Sequence, residues 1–159
     1  MTEADFIPGP AGALPESGIF RWQAPSNIAL VKYWGKKSGQ LPMNPSVSFT
    51  LDSCATRTEL RCRKKETSSD SPSFEVFLEG TPAPHFREKI ESFFQRILPY
   101  QPFLSWYDFE IHTENTFPHS SGIASSASGM AALASCLMEL EHAIYPDLEA
   151  SSCNTKASF

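Results

Sequence analysis

The sequence predicts an α+β domain with a mixed sheet and helices packed on one face. Segments that alternate polar and apolar residues, as half-buried strands do, occur repeatedly in the first half of the chain. Two later segments have apolar residues at helical spacing, and a strand-like segment separates them. This order of strands, helix, strand, loop and helix suggests the α+β class.

Four strands are predicted in the first half of the chain. The first covers residues 19–24, and we expect Pro25 to end it because proline cannot donate to a sheet ladder. The others cover residues 46–52, 56–63 and 73–80. Together they form most of the expected sheet.

Two helices and one further strand are predicted in the second half. Residues from Pro84 to about Leu98 have one apolar face and one charged face, so this helix should lie against the sheet. A strand at residues 106–115 then leads into a loop rich in serine and glycine. The helix after that loop should stop before Pro146.

The loop and helix start at residues 118–129 are a candidate anion site. The first N–H groups of a helix have no intrahelical partner and lie at the positive end of its dipole. Close packing of helices is the alternative explanation for a run of Ala, Ser and Gly. However, five serines within nine residues exceed what a dry interface needs, since each buried hydroxyl requires a partner. No Gly-Lys-Ser or Gly-Lys-Thr closes the loop, so a neutralising lysine must come from elsewhere.

A second candidate site lies at residues 26–37, where polar residues interrupt an apolar segment. Those that can bind an anion are Asn27, Lys32, Tyr33 and Lys36, and Gly35 permits a turn among them. We expect the neighbouring Trp34 to pack in the core or in a lid.

Composition narrows the class of ligand. The net charge of −5 argues against a general nucleic-acid or anionic-membrane surface and favours a small anionic substrate. Residues 1–17 have no basic start and no continuous apolar run, so they are expected to be a mobile tail rather than a signal peptide or membrane helix. The four cysteines form no CxxC pair, which indicates reduced thiols in a cytosolic protein, and the histidine spacing predicts no structural metal site.

Two motifs resemble one family. Residues 24–36, with 41–48 after them, resemble the opening of diphosphomevalonate decarboxylases. The segment 120–129 resembles their phosphate-binding loop, which the superfamily of galactokinase, homoserine kinase, mevalonate kinase and phosphomevalonate kinase (GHMP kinases) shares. The resemblance implies a GHMP-kinase-like N-terminal domain of the ribosomal protein S5 domain 2-like fold.

The resemblance also implies an activity. Such an enzyme is cytoplasmic and belongs to the mevalonate pathway of isoprenoid biosynthesis. It uses ATP and Mg²⁺ to phosphorylate the 3-hydroxyl of mevalonate diphosphate, and loss of phosphate and CO₂ then leaves isopentenyl diphosphate. The implied partner is this small-molecule substrate, with no nucleic acid or membrane, and the complete enzyme is expected to be a homodimer.

Site residues follow from the resemblance position by position. Tyr33 and Lys36 match substrate-binding positions, and Asn27 matches an asparagine near the reacting centre. Catalytic roles are implied for Asn27, Lys36 and Ser126, and Ser128 is implied at the substrate. The positions matching the loop around the ATP phosphates are Ser121, Gly122, Ala124, Ser125 and Ser126. No protein ligand of Mg²⁺ is assigned.

The chain departs from the family in two respects. An Arg-x-Gly-Ser-Gly-Ser-Ala segment and a catalytic aspartate, both expected later in the family, have no match here. We therefore expect residues 18–159 to be an incomplete ATP- and substrate-binding N-terminal domain, without its C-terminal domain and inactive alone. Two other functions stay open: an ATP-dependent 3-hydroxyl kinase of a mevalonate-type acid, and a nucleotide-binding relic without catalysis.

Overall fold

The structure, a computed structural model, describes residues 6–9, 12–38, 41–118, 121–148 and 150–158. In these residues, five strands and three α-helices follow in the order β1 Ser17–Val31, β2 Val47–Lys64, β3 Ser73–Leu78, β4 Thr81–Pro82, α1 Arg87–Ile97, β5 Tyr107–Asn115, α2 Ser125–Ile144 and α3 Ala150–Ser158. Short 3-10 turns at Pro84–Phe86 and Pro102–Trp106 precede α1 and β5.

The strands form one mixed sheet in the order β1-β2-β5-β3-β4. β3 and β5 are parallel, because α1 carries the chain back to the starting edge between them, and the other pairs are antiparallel. This arrangement confirms the predicted α+β class and its mixed sheet. It places the end of β5 beside the middle of β2, where the loop to α2 begins.

Apolar side chains from one face of the sheet pack against α1 and α2. Leu60 on β2, Phe109 on β5 and Phe94 on α1 are at most 2% exposed, as are Leu133 and Leu137 on α2. The opposite face of β2 carries Arg57, Glu59 and Arg61, and no described helix covers it. The predicted segregation of helices to one face is therefore confirmed.

The largest differences from the sequence prediction concern β1, β2 and α3. β1 continues past Pro25 to Val31, because β1 is an edge strand and its register with β2 shifts between Pro25 and Asn27. The segments expected as two strands at 46–52 and 56–63 are one long strand, β2. In addition, α3 was not predicted, since its serines and asparagine give no helical apolar pattern.

Parts of the N-terminal segment contact the domain. Phe6 is 8% exposed, and the Tyr107 hydroxyl donates a 2.9 Å hydrogen bond to the Pro15 carbonyl. Residues 1–5 and 10–11 lie outside the described residues. The expectation that residues 1–17 are mobile stays a prediction, because a contact does not measure motion.

Candidate functional site

The loop between β5 and α2 contains two residues in the left-handed backbone region. Gly122 has a φ of +83°, which glycine adopts without steric cost. Ala124, the N-cap of α2, has φ 51° and ψ 36°, and no side chain caps the helix there. Such turns expose successive backbone N–H groups as a concave anion site. His119 and Ser120, at the start of the loop, lie outside the described residues.

The first turn of α2 presents donors without intrahelical partners. The amides of Ser125 and Ser126 lie too early in the helix to bond a carbonyl four residues back. The Ala127 amide turns back to the Ala124 carbonyl at 2.9 Å. This turn holds no acidic residue, so no carboxylate competes for the positive end of the helix dipole.

Hydrogen bonds anchor this helix start to the sheet. The hydroxyl oxygens of Thr56 on β2 and Ser128 lie 2.6 Å apart, and Thr56 also donates to the Asn115 side-chain oxygen at 2.8 Å. Thr56 is 2% exposed and Ser128 3%. On the other side of the loop, the buried Ser26 hydroxyl on β1 donates to the Ile123 carbonyl. Side chains of two strands therefore fix the loop and helix start.

A cleft opens beside the helix start. Its volume is about 70 Å³, and its lining is mostly apolar. Ser125 and Ser126 lie at its rim, together with Lys89 from α1. The other lining residues are Thr56, Thr58, Val76, Phe86, Ile90, Ile111, Thr113, Asn115, Gly129, Met130 and Leu133. The cleft therefore places an apolar surface beside the unpaired donors of the helix terminus.

The polar residues of the first motif lie on a projecting ribbon, formed by residues 27–31 and 47–50 and the described residues of their connection, 32–38 and 41–46. Asn27 pairs with Thr50 at the base of this ribbon, one residue after Ser26. The ammonium group of Lys36 lies 5.7 Å from the centre of the Tyr33 ring. Trp34 is 93% exposed, so its expected place in the core is wrong.

The structure brings some predicted residues together and leaves others apart. Ser125 and Ser126 share the cleft, and Gly122 and Ala124 shape the loop beside it. Lys36 and Tyr33 contact each other, but neither lines the cleft. Ser121 lies in the loop before Gly122, and Ser128 is buried beneath the helix start. All these functional roles stay predictions.

Three residues that contribute to the site were not predicted from the sequence. Ser26 and Thr56 hold the loop and helix start, and Lys89 adds a positive charge to the cleft rim. Ser26 could have been found from its spacing, because it lies two residues after the inward-facing Ala24. Residues two apart in a strand point to the same face, so the Ser26 hydroxyl also points inward. Lys89 gave no signal, because it falls on the charged face of a surface helix.

Two of the cysteines, Cys62 and Cys136, are buried, and neither lines the cleft. Burial raises the pKa of Cys136 on α2 to about 12 and that of Cys62 on β2 to about 11, so both stay protonated at neutral pH. All four cysteines are free. Within the described ranges, no three His, Cys, Asp or Glu side chains are grouped so that they could bind a metal ion. The described helices include none with the length and apolar character needed to cross a membrane.

The fold is that of a GHMP-kinase-like N-terminal domain. The family model described as "Diphosphomevalonate decarboxylase-like N-terminal domain" matches residues 24–158. The chain belongs to this family.

Individual relatives agree with this assignment. The chain is 37% identical to the diphosphomevalonate decarboxylase of Gibberella zeae over an alignment of 124 residues. This alignment covers 69% of the chain and 31% of the relative. The structure of mevalonate diphosphate decarboxylase from Staphylococcus aureus superposes with a TM-score of 0.65 at 30% identity. The superposition covers 89% of this chain and 40% of the Staphylococcus aureus chain. The enzyme structure from Enterococcus faecalis has a TM-score of 0.64 at 30% identity, covering 89% and 42%. The chain thus spans about a third of the length of the curated relatives that it matches.

Proposed function

We propose that residues 18–159 form the ATP- and substrate-binding N-terminal domain of a diphosphomevalonate decarboxylase. The observation that carries the proposal is the loop and helix start, anchored by Ser26 and Thr56 at the rim of an apolar cleft. A preorganised set of donors binds a phosphate without the cost of ordering them first.

The phosphates of ATP are placed at the start of α2. The Ser125 and Ser126 amides and hydroxyls are the donors, and the loop at Ser121, Gly122 and Ala124 lets the phosphates approach the backbone. Because the loop itself has no lysine, Lys89 at the cleft rim supplies positive charge. These contacts would position the γ-phosphoryl group for transfer.

The base of ATP is placed in the cleft. Val76, Ile90 and Ile111 offer an apolar surface, and Thr58 and Thr113 offer hydroxyls that can bond a heteroaromatic edge. One solved structure of similar fold holds MVAPP, AMPPCP and magnesium. For Mg²⁺, hydroxyl oxygens of Ser125 and Ser126 fit a hard cation brought in by the phosphates, although no carboxylate is among the described cleft-lining residues.

Mevalonate diphosphate is placed between the loop and the ribbon. Tyr33 and Lys36 would bind its anionic end, while Asn27, next to Ser26, would face the reacting centre. Ser126 would stand at the boundary between nucleotide and substrate, whereas the buried Ser128 would support the helix start beneath it. In the complete enzyme, a homodimer in the cytoplasm, a carboxylate base from outside this chain would accept the 3-hydroxyl proton.

A pair of substitutions at Gly129 tests nucleotide binding. An alanine there would have only Thr56 Cγ2 within 4 Å, at 3.9 Å, so it fits, whereas a leucine would fill the cleft. In calorimetric titrations of the full chain, we expect Gly129→Leu to weaken ATP binding about tenfold or more, with tripolyphosphate binding unchanged. Gly129→Ala is the matched control. Absence of ATP binding by the unsubstituted chain would overturn the proposal.

Binding without turnover is the expected behaviour of this chain alone. Among the described residues that line the cleft, none is a carboxylate or histidine that could act as the base. We expect the purified 159-residue chain to release no CO₂ from mevalonate diphosphate and ATP. Release measured above a no-protein control would contradict this expectation.

A further inference from the structure

The pairing of β1 with β2 breaks at Ser26. Pro25 is opposite Ala55 but Asn27 is opposite Thr50, so β2 bulges while β1 continues. Pro25 contributes to the break, since it has no N–H for the ladder. Irregular pairing re-aims side chains, and here Ser26 points to the helix side of the sheet, where it is 1% exposed.

The Ser26 hydroxyl reaches the backbone of the phosphate-binding loop. It donates to the carbonyl of Ile123, which lies between the two left-handed residues Gly122 and Ala124. In a planar trans peptide, the carbonyl and the following N–H point in opposite directions. Fixing the Ile123 carbonyl toward β1 therefore directs the Ala124 N–H away from β1.

The helix side of the loop has its own anchor. Thr56 holds Ser128, one turn into α2, and the two hydroxyls lie 2.6 Å apart. This bond fixes the helix but does not touch the peptide between Ile123 and Ala124. Ser26, placed on the β1 side of the loop by the break in pairing, contacts that peptide directly through the Ile123 carbonyl.

We propose that Ser26 is a positioning residue, whose hydrogen bond to Ile123 orients the loop amides for the phosphates of ATP. The inference rests on the proposed nucleotide-binding function. It assigns a role to a side chain that touches no ligand itself, and it links the first sequence motif physically to the second.

The test uses the full chain with Ser26→Ala and with Ser26→Cys, which keeps the volume and only a weak donor. Loss of one hydrogen bond should weaken tripolyphosphate and ATP binding by about five- to tenfold, with an intermediate loss for the cysteine variant. Adenosine affinity should not change. A merely structural role would weaken all three ligands together, and that result would overturn the proposal.

Ser135→Ala is the matched control, because the Ser135 hydroxyl also donates to a backbone carbonyl, that of Ala131 at 3.0 Å, but away from the loop. Amide hydrogen exchange without ligand gives an independent result. Exchange of the Ala127 and Ser128 amides, which donate to the Ala124 carbonyl at 2.9 and 3.3 Å, should accelerate in Ser26→Ala and not in the control. If the unsubstituted chain binds no ATP, the proposed function fails, yet this exchange difference still supports or overturns the positioning role.

Discussion

At the scale of single residues, Ala124 is in an unfavourable backbone conformation. Its φ of 51° lies in the left-handed region, where the Cβ of an L-residue is crowded. We expect Ala124→Gly to raise the free energy of unfolding by about 1 kcal/mol, since glycine removes that crowding. Urea unfolding measures the change.

The reciprocal substitution is the control. Gly122 has a φ of +83°, so Gly122→Ala should lower the free energy of unfolding by about 1 kcal/mol. A loss of stability in Ala124→Gly would show that the left-handed conformation is not strained at this position.

The sequence predicted that this loop is a candidate anion site, but it did not predict the conformation of the loop backbone. Residues such as Ser125 and Ser126 indicated an anion site, because hydroxyls before an apolar helical pattern are typical of a helix start. The left-handed Ala124 could not be predicted, since alanine has no intrinsic preference for that region. Nor could the Ser26 contact, because it joins residues 97 positions apart.

At the scale of elements, the uncovered face of the sheet carries rows of charge across neighbouring strands. Glu59 on β2 bonds Arg21 on β1 at 2.5 Å and Arg61 two residues along at 2.6 Å. The hydrogen bond from Arg61 is the largest cause of the lowered pKa of the Glu59 carboxyl. Burial opposes it, and the hydrogen bond from Arg21 and the charges of both arginines lower the pKa further. The strand register, rather than the sequence order, creates the pair with Arg21.

The lowered pKa of Glu59 predicts that its contribution to the free energy of unfolding depends on pH. A carboxyl whose folded pKa lies below its unfolded value of 4.5 stabilises the fold above that pH, and the contribution is lost as the pH falls through the folded pKa. We expect Glu59→Gln to cost about 0.5 kcal/mol at pH 7, a small effect because both arginines are largely exposed. The cost should vanish toward pH 3 in urea unfolding. An equal cost at both pH values would contradict the assignment.

A buried ion pair fixes α3 to α2. Glu141 is 1% exposed, and its oxygens accept hydrogen bonds from Lys156 Nζ at 2.5 Å and Gln101 Nε2 at 2.8 Å. Lys156 also donates to the Tyr100 carbonyl at 2.8 Å. We expect Lys156→Met to lower the free energy of unfolding by about 3 kcal/mol, because it leaves a buried carboxylate without its cation.

A second substitution separates charge from packing. In the double variant Lys156→Met with Glu141→Gln, the neutral amide can still accept from Gln101, so much of the lost stability should return. Urea unfolding compares the two variants. Equal stabilities would show that the loss does not come from an unpaired carboxylate at Glu141, and would contradict the role given to the ion pair.

Strong periodicity made some elements predictable and its absence hid others. The helix at Arg87–Ile97 and the strand at Tyr107–Asn115 were predicted because their apolar faces are clear in the sequence. α3 was missed because one lysine, Lys156, docks it through the buried Glu141 rather than an apolar stripe. Tertiary contacts of this kind are invisible to local patterns.

At the scale of the whole molecule, the projecting ribbon exposes apolar side chains that no described residue covers. Ile28 and Phe49 face each other across its strands and are 41% and 56% exposed. Leu30, Val31, Trp34, Leu41, Met43 and Val47 are also exposed. A contiguous apolar surface of this kind favours association.

We therefore expect the chain to self-associate in solution. Replacing both Ile28 and Phe49 by threonine, which retains strand propensity, should lower the association constant about tenfold or more in sedimentation velocity experiments. Ile19→Thr removes an apolar residue of similar exposure, 55%, outside the ribbon and serves as the control. An unchanged sedimentation coefficient in the double variant would exclude the ribbon as the contact surface.

The position of β5 in the sheet determines when the sheet can be completed during synthesis. In the sheet, β5 lies between β2 and β3. In the sequence, it follows both strands, and α1 with its connections separates it from them. During synthesis, β2 and β3 therefore wait with unpaired inner edges until Asn115 has left the ribosome. The five-stranded sheet can therefore be completed only after β5 has emerged, and these edges are exposed to aggregation until then.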